Sequence, residues 1–144
     1  MTAKSDIRKL SIRFEGKNVP REAFLEDFND KLIPFVREDL LQWREFVMLL
    51  REIVKNIYDH ADGRGYTLLK KNGVKRILYF KLGDNGIQSY DLEVLKRASA
   101  SRKGNSYNFG VGLKTMIPGI AEGLGIELRI VTSQGFYYSG VLKF

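Results

Sequence analysis

An α+β fold, a two-layer sandwich with helices on one face of a mixed or antiparallel β-sheet, is predicted by three observations. Strand-patterned segments come mainly in pairs joined by short turns, and segments with helical apolar spacing lie between those pairs. No internal repeat, low-complexity tract or Pro/Gly/Ser-rich linker interrupts the 144 residues, so a single domain over 1–144 is expected.

The elements follow in chain order. From Lys9 to Glu15, apolar Leu10, Ile12 and Phe14 alternate with polar neighbours, the period of a half-buried strand. Pro20 opens a helix carrying Phe24, Phe28, Leu32 and Ile33 at helical spacing, and Pro34 is expected to end it, because proline lacks the N–H a helix interior uses. Between Arg37 and Ala61, Leu40, Trp43, Phe46, Val47, Leu50, Ile53, Val54 and Ile57 recur every three or four residues, which predicts a long amphipathic helix. After Asp62-Gly63 and Gly65, strands near Tyr66–Lys70 and Val74–Leu82 flank Lys71-Asn72-Gly73, and Asn72-Gly73 favours a type I′ hairpin turn. A loop from Gly83 to Gly86, a short helix near Asp91–Ala98, a polar stretch from Ser99 to Asn108 and an apolar helix from about Gly110 to Glu122 come next. Strands near Ile126–Thr132 and Phe136–Phe144, joined by Ser133-Gln134-Gly135, complete the pattern.

Composition narrows the chemistry. The absence of cysteine excludes disulfide frameworks, thiolate zinc sites and cysteine nucleophiles, and it fits a reducing compartment. Met1 to Asp6 holds no apolar signal segment, and the longest apolar stretch, Phe46 to Leu50, falls far short of the roughly 20 residues of a membrane span. An unprocessed cytoplasmic protein with no membrane partner is therefore expected. The formal charge of +7 suggests a polyanionic partner, yet the basic residues do not run together as an arm or tail. Lys70-Lys71 to Lys75-Arg76 reads as solvated surface charge, whereas Lys96-Arg97 to Arg102-Lys103 suits a phosphate. Tyr107 and Phe109 beside Arg102 and Lys103 are too few for a base-stacking platform, so nucleic acid is not an expected partner.

Three separated segments carry chemistry. On the long helix, Glu52, Asn56 and Asp59 fall within about 40° to 60° of one another and form a polar stripe at the border of the apolar face. Phe80-Lys-Leu-Gly83-Asp84-Asn85-Gly86-Ile87 sets an aspartate between two glycines after a strand pattern. Asn108-Phe109-Gly110-Val111-Gly112-Leu113 places glycines at the mouth of an apolar helix, where bare N–H groups and the helix dipole favour a phosphate. Each alone is also compatible with ordinary structure: a solvated helix face, an Asp-Asn-Gly turn, a glycine-led helix start.

Their order and spacing resemble the N, G1 and G2 boxes of the GHKL superfamily, the histidine kinase-like ATPases of the Bergerat fold, and the resemblance covers nearly the whole chain. Glu52, Asn56 and Asp59 match the Glu-x-x-x-Asn-x-x-Asp form of gyrase-like and mismatch-repair ATPases, and His60-Ala61 matches the ending seen in anti-sigma-factor serine kinases. The resemblance implies ATP and Mg²⁺ as ligands. Asn56 would give a side-chain oxygen to Mg²⁺, Glu52 would be the catalytic base, and Asp84 would accept the adenine amine, with Gly86 leaving room for the base. Asp59 and Ile87 belong to the same nucleotide-contacting set. Gly110, Val111, Gly112 and Leu113 would present N–H groups to the phosphates, and Arg102 or Lys103, in the segment corresponding to the ATP lid, would neutralise the γ-phosphate.

Two departures stand out. Gln88 occupies the place of the second G1 glycine, and Tyr138-Ser139-Gly140 stands where a Gly-Thr is often found, with Ser139 a candidate substitute for the threonine. His60 is the only histidine, which leaves no separate phosphoacceptor histidine, and no transducer domain of the gyrase kind is recognisable. The remaining resemblance, to the free-standing anti-sigma-factor kinases, implies phosphoryl transfer to Ser or Thr of a regulatory partner, a sigma factor or an anti-anti-sigma-like protein. A second copy of the chain is a further candidate partner. The competing expectations are a non-catalytic module gated by nucleotide and an ATPase of the gyrase or mismatch-repair type.

Overall fold

Five segments with two-residue alternation pair into one antiparallel sheet: β1 (Ile7–Glu15), β2 (Arg64–Asn72), β3 (Ile77–Asp84), β4 (Arg129–Val131) and β5 (Tyr137–Lys143), in the spatial order β1-β2-β3-β5-β4. The structure is a computed structural model and describes residues 7–84, 116–131 and 136–144. Its helices among those residues are α1 (Arg21–Val36), α2 (Trp43–His60) and α3 (Ile117–Gly123). The chain is thus α+β, with an antiparallel sheet, as its sequence predicts.

Register decides what each face carries. Ile12 stands opposite Thr67, Thr67 opposite Leu82 and Leu82 opposite Tyr138, so this row shares one face, and all of it is buried. Helix α2 packs against β2 and β3 from this side and against α1 and α3 laterally. Phe46, Leu49, Leu50, Ile53, Val54 and Ile57 of α2 are fully buried in the core with Phe28, Leu32, Phe80 and Ile117. Each such side chain contributes about 1.5–3 kcal/mol on leaving water. The next row, Ser11, Leu68, Lys81 and Ser139, faces the other way, with Ser11 and Leu68 exposed and Lys81 and Ser139 half-buried.

Several boundaries differ from the sequence expectation. Pro34 lies inside α1 rather than ending it. Only the bond toward the Asp30 carbonyl is lost there, while the Arg37 N–H still reaches the Ile33 carbonyl at 2.9 Å. Leu32 and Val36, fully buried on either side of the proline, hold the last turn in place. The long helix begins only at Trp43, because Asp39 and Leu40 both donate back to the Val36 carbonyl and turn the chain. That turn still delivers Leu40 to the core, which explains why its spacing looked helical.

The first hairpin is also wider than a type I′ turn at Asn72-Gly73. Asn72 pairs with Ile77 as the last rung, and its Oδ1 accepts the N–H groups of Val74 at 3.1 Å and Lys75 at 3.0 Å. The positive φ needed to close the loop falls on Arg76, at 55°, whose Nε donates to the Phe144 carbonyl. Lys71, expected in solvated surface charge, is buried instead: its Nζ pairs with Asp39, donates to the Phe35 carbonyl at 2.8 Å and lies over the Phe35 ring. It fastens the end of α1 to the sheet. Of the expected helix over 110–122, the described portion is α3, and the expected helix near 91–98 and the turn 133–135 lie outside the described residues. No helix among the described residues is long and apolar enough to cross a membrane.

Candidate functional site

The polar stripe of α2 divides among three partners. The Glu52 Oε1 accepts from Lys55 Nζ at 2.7 Å, one turn along the same helix. Asn56 points inward, only 3% exposed, and its Nδ2 lies 3.5 Å from the Tyr138 hydroxyl of β5, which accepts. Asp59 is gripped by Arg21 at the start of α1, with Nε on Oδ1 at 3.0 Å and Nη2 on Oδ2 at 2.8 Å. This bidentate pair locks the first turn of α1 to the last turn of α2, and the Asp59 bond is the largest cause raising the Arg21 pKa.

Asp84 ends β3 on the helix-covered side of the sheet, 5% exposed. Its Oδ1 accepts the Phe136 N–H at 3.1 Å, and its own N–H donates to the Phe136 carbonyl at 3.0 Å. Opposite Asp84 in β2 stands Gly65, where a Cβ would lie 2.2 Å from the Gly83 carbonyl oxygen. Only a bare backbone lets β2 approach this corner so closely.

Asn56 and Asp84 are therefore both fastened to the short run Phe136 to Tyr138, on the same face of the sheet. Glu52 lies one helical turn before Asn56, with its side chain 13% exposed. Tyr138 is fully buried, and burial pushes its hydroxyl well above the ordinary tyrosine range, the bond from Asn56 acting in the opposite direction. A neutral phenol that accepts from the Asn56 amide nitrogen fixes the amide's orientation. The carboxamide oxygen, Oδ1, is then the branch not engaged by Tyr138.

Ser139, the candidate substitute for the threonine, faces away from Asp84. Strand alternation turns it to the opposite face, where it stands across from Lys81 and Arg129, while Tyr138 takes the inward position. Gly86, Ile87, Arg102, Lys103, Gly110, Val111, Gly112 and Leu113 lie outside the described residues. Sequence alone assigns no site role to Tyr138, Arg21 or Gly65. Tyr138 was detectable, since Phe136, Tyr138 and Leu142 alternate on the buried face. The Arg21–Asp59 pair joins positions on two helices, and no local pattern announces it.

No group of three or more His, Cys or Asp/Glu side chains able to hold a metal ion occurs among the described residues. A Mg²⁺ ion does not need one: it keeps several waters and takes one or two protein oxygens together with phosphates, which the Asn56 carboxamide oxygen fits. Two concavities lined by described residues, one along β1 and β2 near Arg13 and Tyr66 and one near Leu40 and Phe144, include neither Asn56 nor Asp84. No model of a known protein family matches the chain, and no curated protein matches its sequence.

Proposed function

We propose that the chain is a Mg-ATP-binding regulatory domain resembling the anti-sigma-factor serine kinases, working in the cytoplasm and passing the γ-phosphoryl group to a Ser or Thr of a regulatory protein partner. One observation carries the proposal. A buried carboxamide and a buried carboxylate, brought from α2 and from the end of β3, are anchored two residues apart, on Tyr138 of β5 and on Phe136 just before it, and share one face of the sheet. Neither is needed there to fill an apolar core, and buried polar groups held on a rigid strand suit recognition of a polar ligand.

Bound Mg-ATP supplies the phosphoryl group. Asn56 offers Oδ1 as the hard oxygen for Mg²⁺, and the Asp84 carboxylate, positioned by the Phe136 N–H, is the group that meets the adenine amine. The N–H groups of Gly110 to Leu113 and the cations Arg102 and Lys103 serve the phosphates. Glu52 accepts the proton of the attacking hydroxyl, with Lys55 holding the carboxylate at the helix edge.

Transfer of label from γ-labelled ATP to a Ser- or Thr-bearing partner tests the proposal. Glu52→Gln keeps the side chain's shape and removes the base, and label transfer is expected to fall by about 10² or more. Transfer unchanged by that substitution removes Glu52 from the chemistry. A non-catalytic, nucleotide-gated module is the second reading, favoured by the engagement of Glu52 Oε1 with Lys55 and by Gln88 at the second G1 position. In that case Mg-ATP binds and no ADP forms over hours.

A further inference from the structure

The face of the sheet turned away from the helices has its own composition. In register, Tyr66 and Tyr137 stand on either side of Gly83, and Lys81, two residues along β3, places its Nζ 4.4 Å from the Tyr137 ring centre and 6.0 Å from that of Tyr66. Tyr79, 41% exposed, follows on the same strand beside Val141. Three tyrosines far apart in sequence thus lie on three adjacent strands of one face. The linear sequence disguised this, because the three are spread over β2, β3 and β5 and meet only through strand pairing.

The strand positions of this face around the rings carry mostly cations, while Asp84, on the other face, lies close enough to act on Tyr66. Lys9 stands directly opposite Lys70, and Arg129 opposite Ser139, all on this face. Among the described strand positions of this face, the carboxylate is Glu15, at the end of β1, where it pairs with Arg13 at 3.5 Å. Like charges directly across a ladder destabilise a sheet, so the Lys9–Lys70 pair is a cost that folding alone does not explain. A polyanion lying on the face relieves it. A shallow concavity bordered by Ser11, Arg13, Glu15, Arg64 and Tyr66 opens on the same side, with two cations to one carboxylate, giving the surface a groove rather than a flat plane.

We infer that the open face of the sheet binds single-stranded nucleic acid, with bases stacked on Tyr66, Tyr79 and Tyr137 and phosphates held by Lys9, Lys70, Lys81 and Arg129. Aromatic rings on neighbouring strands of an exposed sheet are a sequence-tolerant stacking surface, because every base has a π-face. Interleaved lysines supply the phosphate contacts. Duplex is excluded by geometry, since its bases are stacked internally and present no free face to the rings. An acidic protein segment would use the cations but not the ring faces, and the tyrosines separate the two. The site is independent of the nucleotide pocket proposed above, which lies under the helices on the opposite face.

Fluorescence polarisation of the full chain with labelled oligo(dT) and oligo(rU) of about twelve nucleotides tests the inference. Binding is expected near about 50 mM salt and is expected to weaken with a log–log salt slope of about −2 to −3, the value for three or four phosphate contacts to a single strand. Tyr66→Ala, Tyr137→Ala and Lys81→Glu are each expected to weaken it about tenfold, while circular dichroism shows an unchanged fold. Lys31→Glu, a charge reversal on the exposed side of α1, leaves it unaltered. Four results overturn the inference: no polarisation change at low salt; equal binding by the tyrosine variants and wild type; displacement by poly-glutamate as effective as by unlabelled oligonucleotide; or loss of binding in Lys31→Glu, which would assign the strand to the helix-bearing face.

Discussion

The Asn56 Nδ2 on α2 and the Tyr138 hydroxyl on β5 lie 3.5 Å apart across the buried helix–sheet interface. The contact is long for a hydrogen bond, so its worth lies in orientation more than in energy. It selects which end of the Asn56 amide faces away from the sheet. Tyr138→Phe removes the acceptor and keeps the ring. The expected result is a loss of no more than about 0.5 kcal/mol in urea unfolding. Calorimetry is expected to show a several-fold weaker affinity for Mg-ATP and a smaller change for ATP without Mg²⁺. An equal change with and without the metal ion would contradict the orientation role.

Tyr138 also makes an alkaline prediction. Its folded-state pKa is raised above the unfolded value by burial, so the protonated form is favoured in the folded chain. Below about pH 10 both states hold the proton and the contribution to stability is complete. Above that value the unfolded chain releases the proton while the folded chain keeps it, and stability falls until the folded group itself ionises. Tyr66 acts in the same direction, pushed up first by burial and then by the nearby Tyr137, Asp84 and Tyr79. Urea midpoints measured from pH 9 to 11 are expected to decline, and Tyr138→Phe removes up to about 1.4 kcal/mol per pH unit from that slope. Identical slopes in the two proteins would show that the hydroxyl is not buried.

The Arg21–Asp59 pair joins α1 to α2 with one partner 34% exposed and the other 8%. That places it between a surface pair and a buried one. A double-mutant cycle with Arg21→Ala and Asp59→Ala is expected to return a coupling of about 1–2 kcal/mol. A coupling near zero would mean that solvent competes for both groups.

Gly65 holds the corner on which Asp84 depends. A Cβ there meets the Gly83 carbonyl oxygen at 2.2 Å, whereas at Gly119 in α3 it meets nothing within 4 Å. Gly65→Ala is expected to cost about 2–3 kcal/mol, and Gly119→Ala to gain about 0.5–1 kcal/mol. Thermal unfolding of the two variants separates them. Equal effects would deny the close approach of β2 to Asp84.

The legible parts of the molecule were those written in local periodicity. Leu10, Ile12 and Phe14 gave β1, and Phe46 to Ile57 gave the core-facing side of α2, because burial follows spacing directly. The helix boundaries were less legible where tertiary burial overrode local rules: Leu32 and Val36 carry α1 past Pro34, and Leu40 reaches the core from a turn. For the site, Asn56 and Asp84 could be named from residue type and spacing, but their common attachment to Phe136–Tyr138 is a product of strand pairing. The inversion of Ser139 and Tyr138 followed from a one-residue phase along β5, which composition does not reveal. The tyrosine face was hidden for the same reason, its members being spread over β2, β3 and β5.

The central claim, that Asn56 and Asp84 hold one nucleotide between them, is tested most directly by calorimetric titration of Mg-ATP into the wild type, Asn56→Ala and Asp84→Asn. The Asn at position 84 retains an oxygen for the Phe136 N–H and replaces the carboxylate that would meet the adenine amine. Saturable binding by the wild type, weakened about tenfold or more in each variant while both keep their fold, is the expected result. No binding by the wild type, or affinities in the folded variants equal to it, would contradict the account.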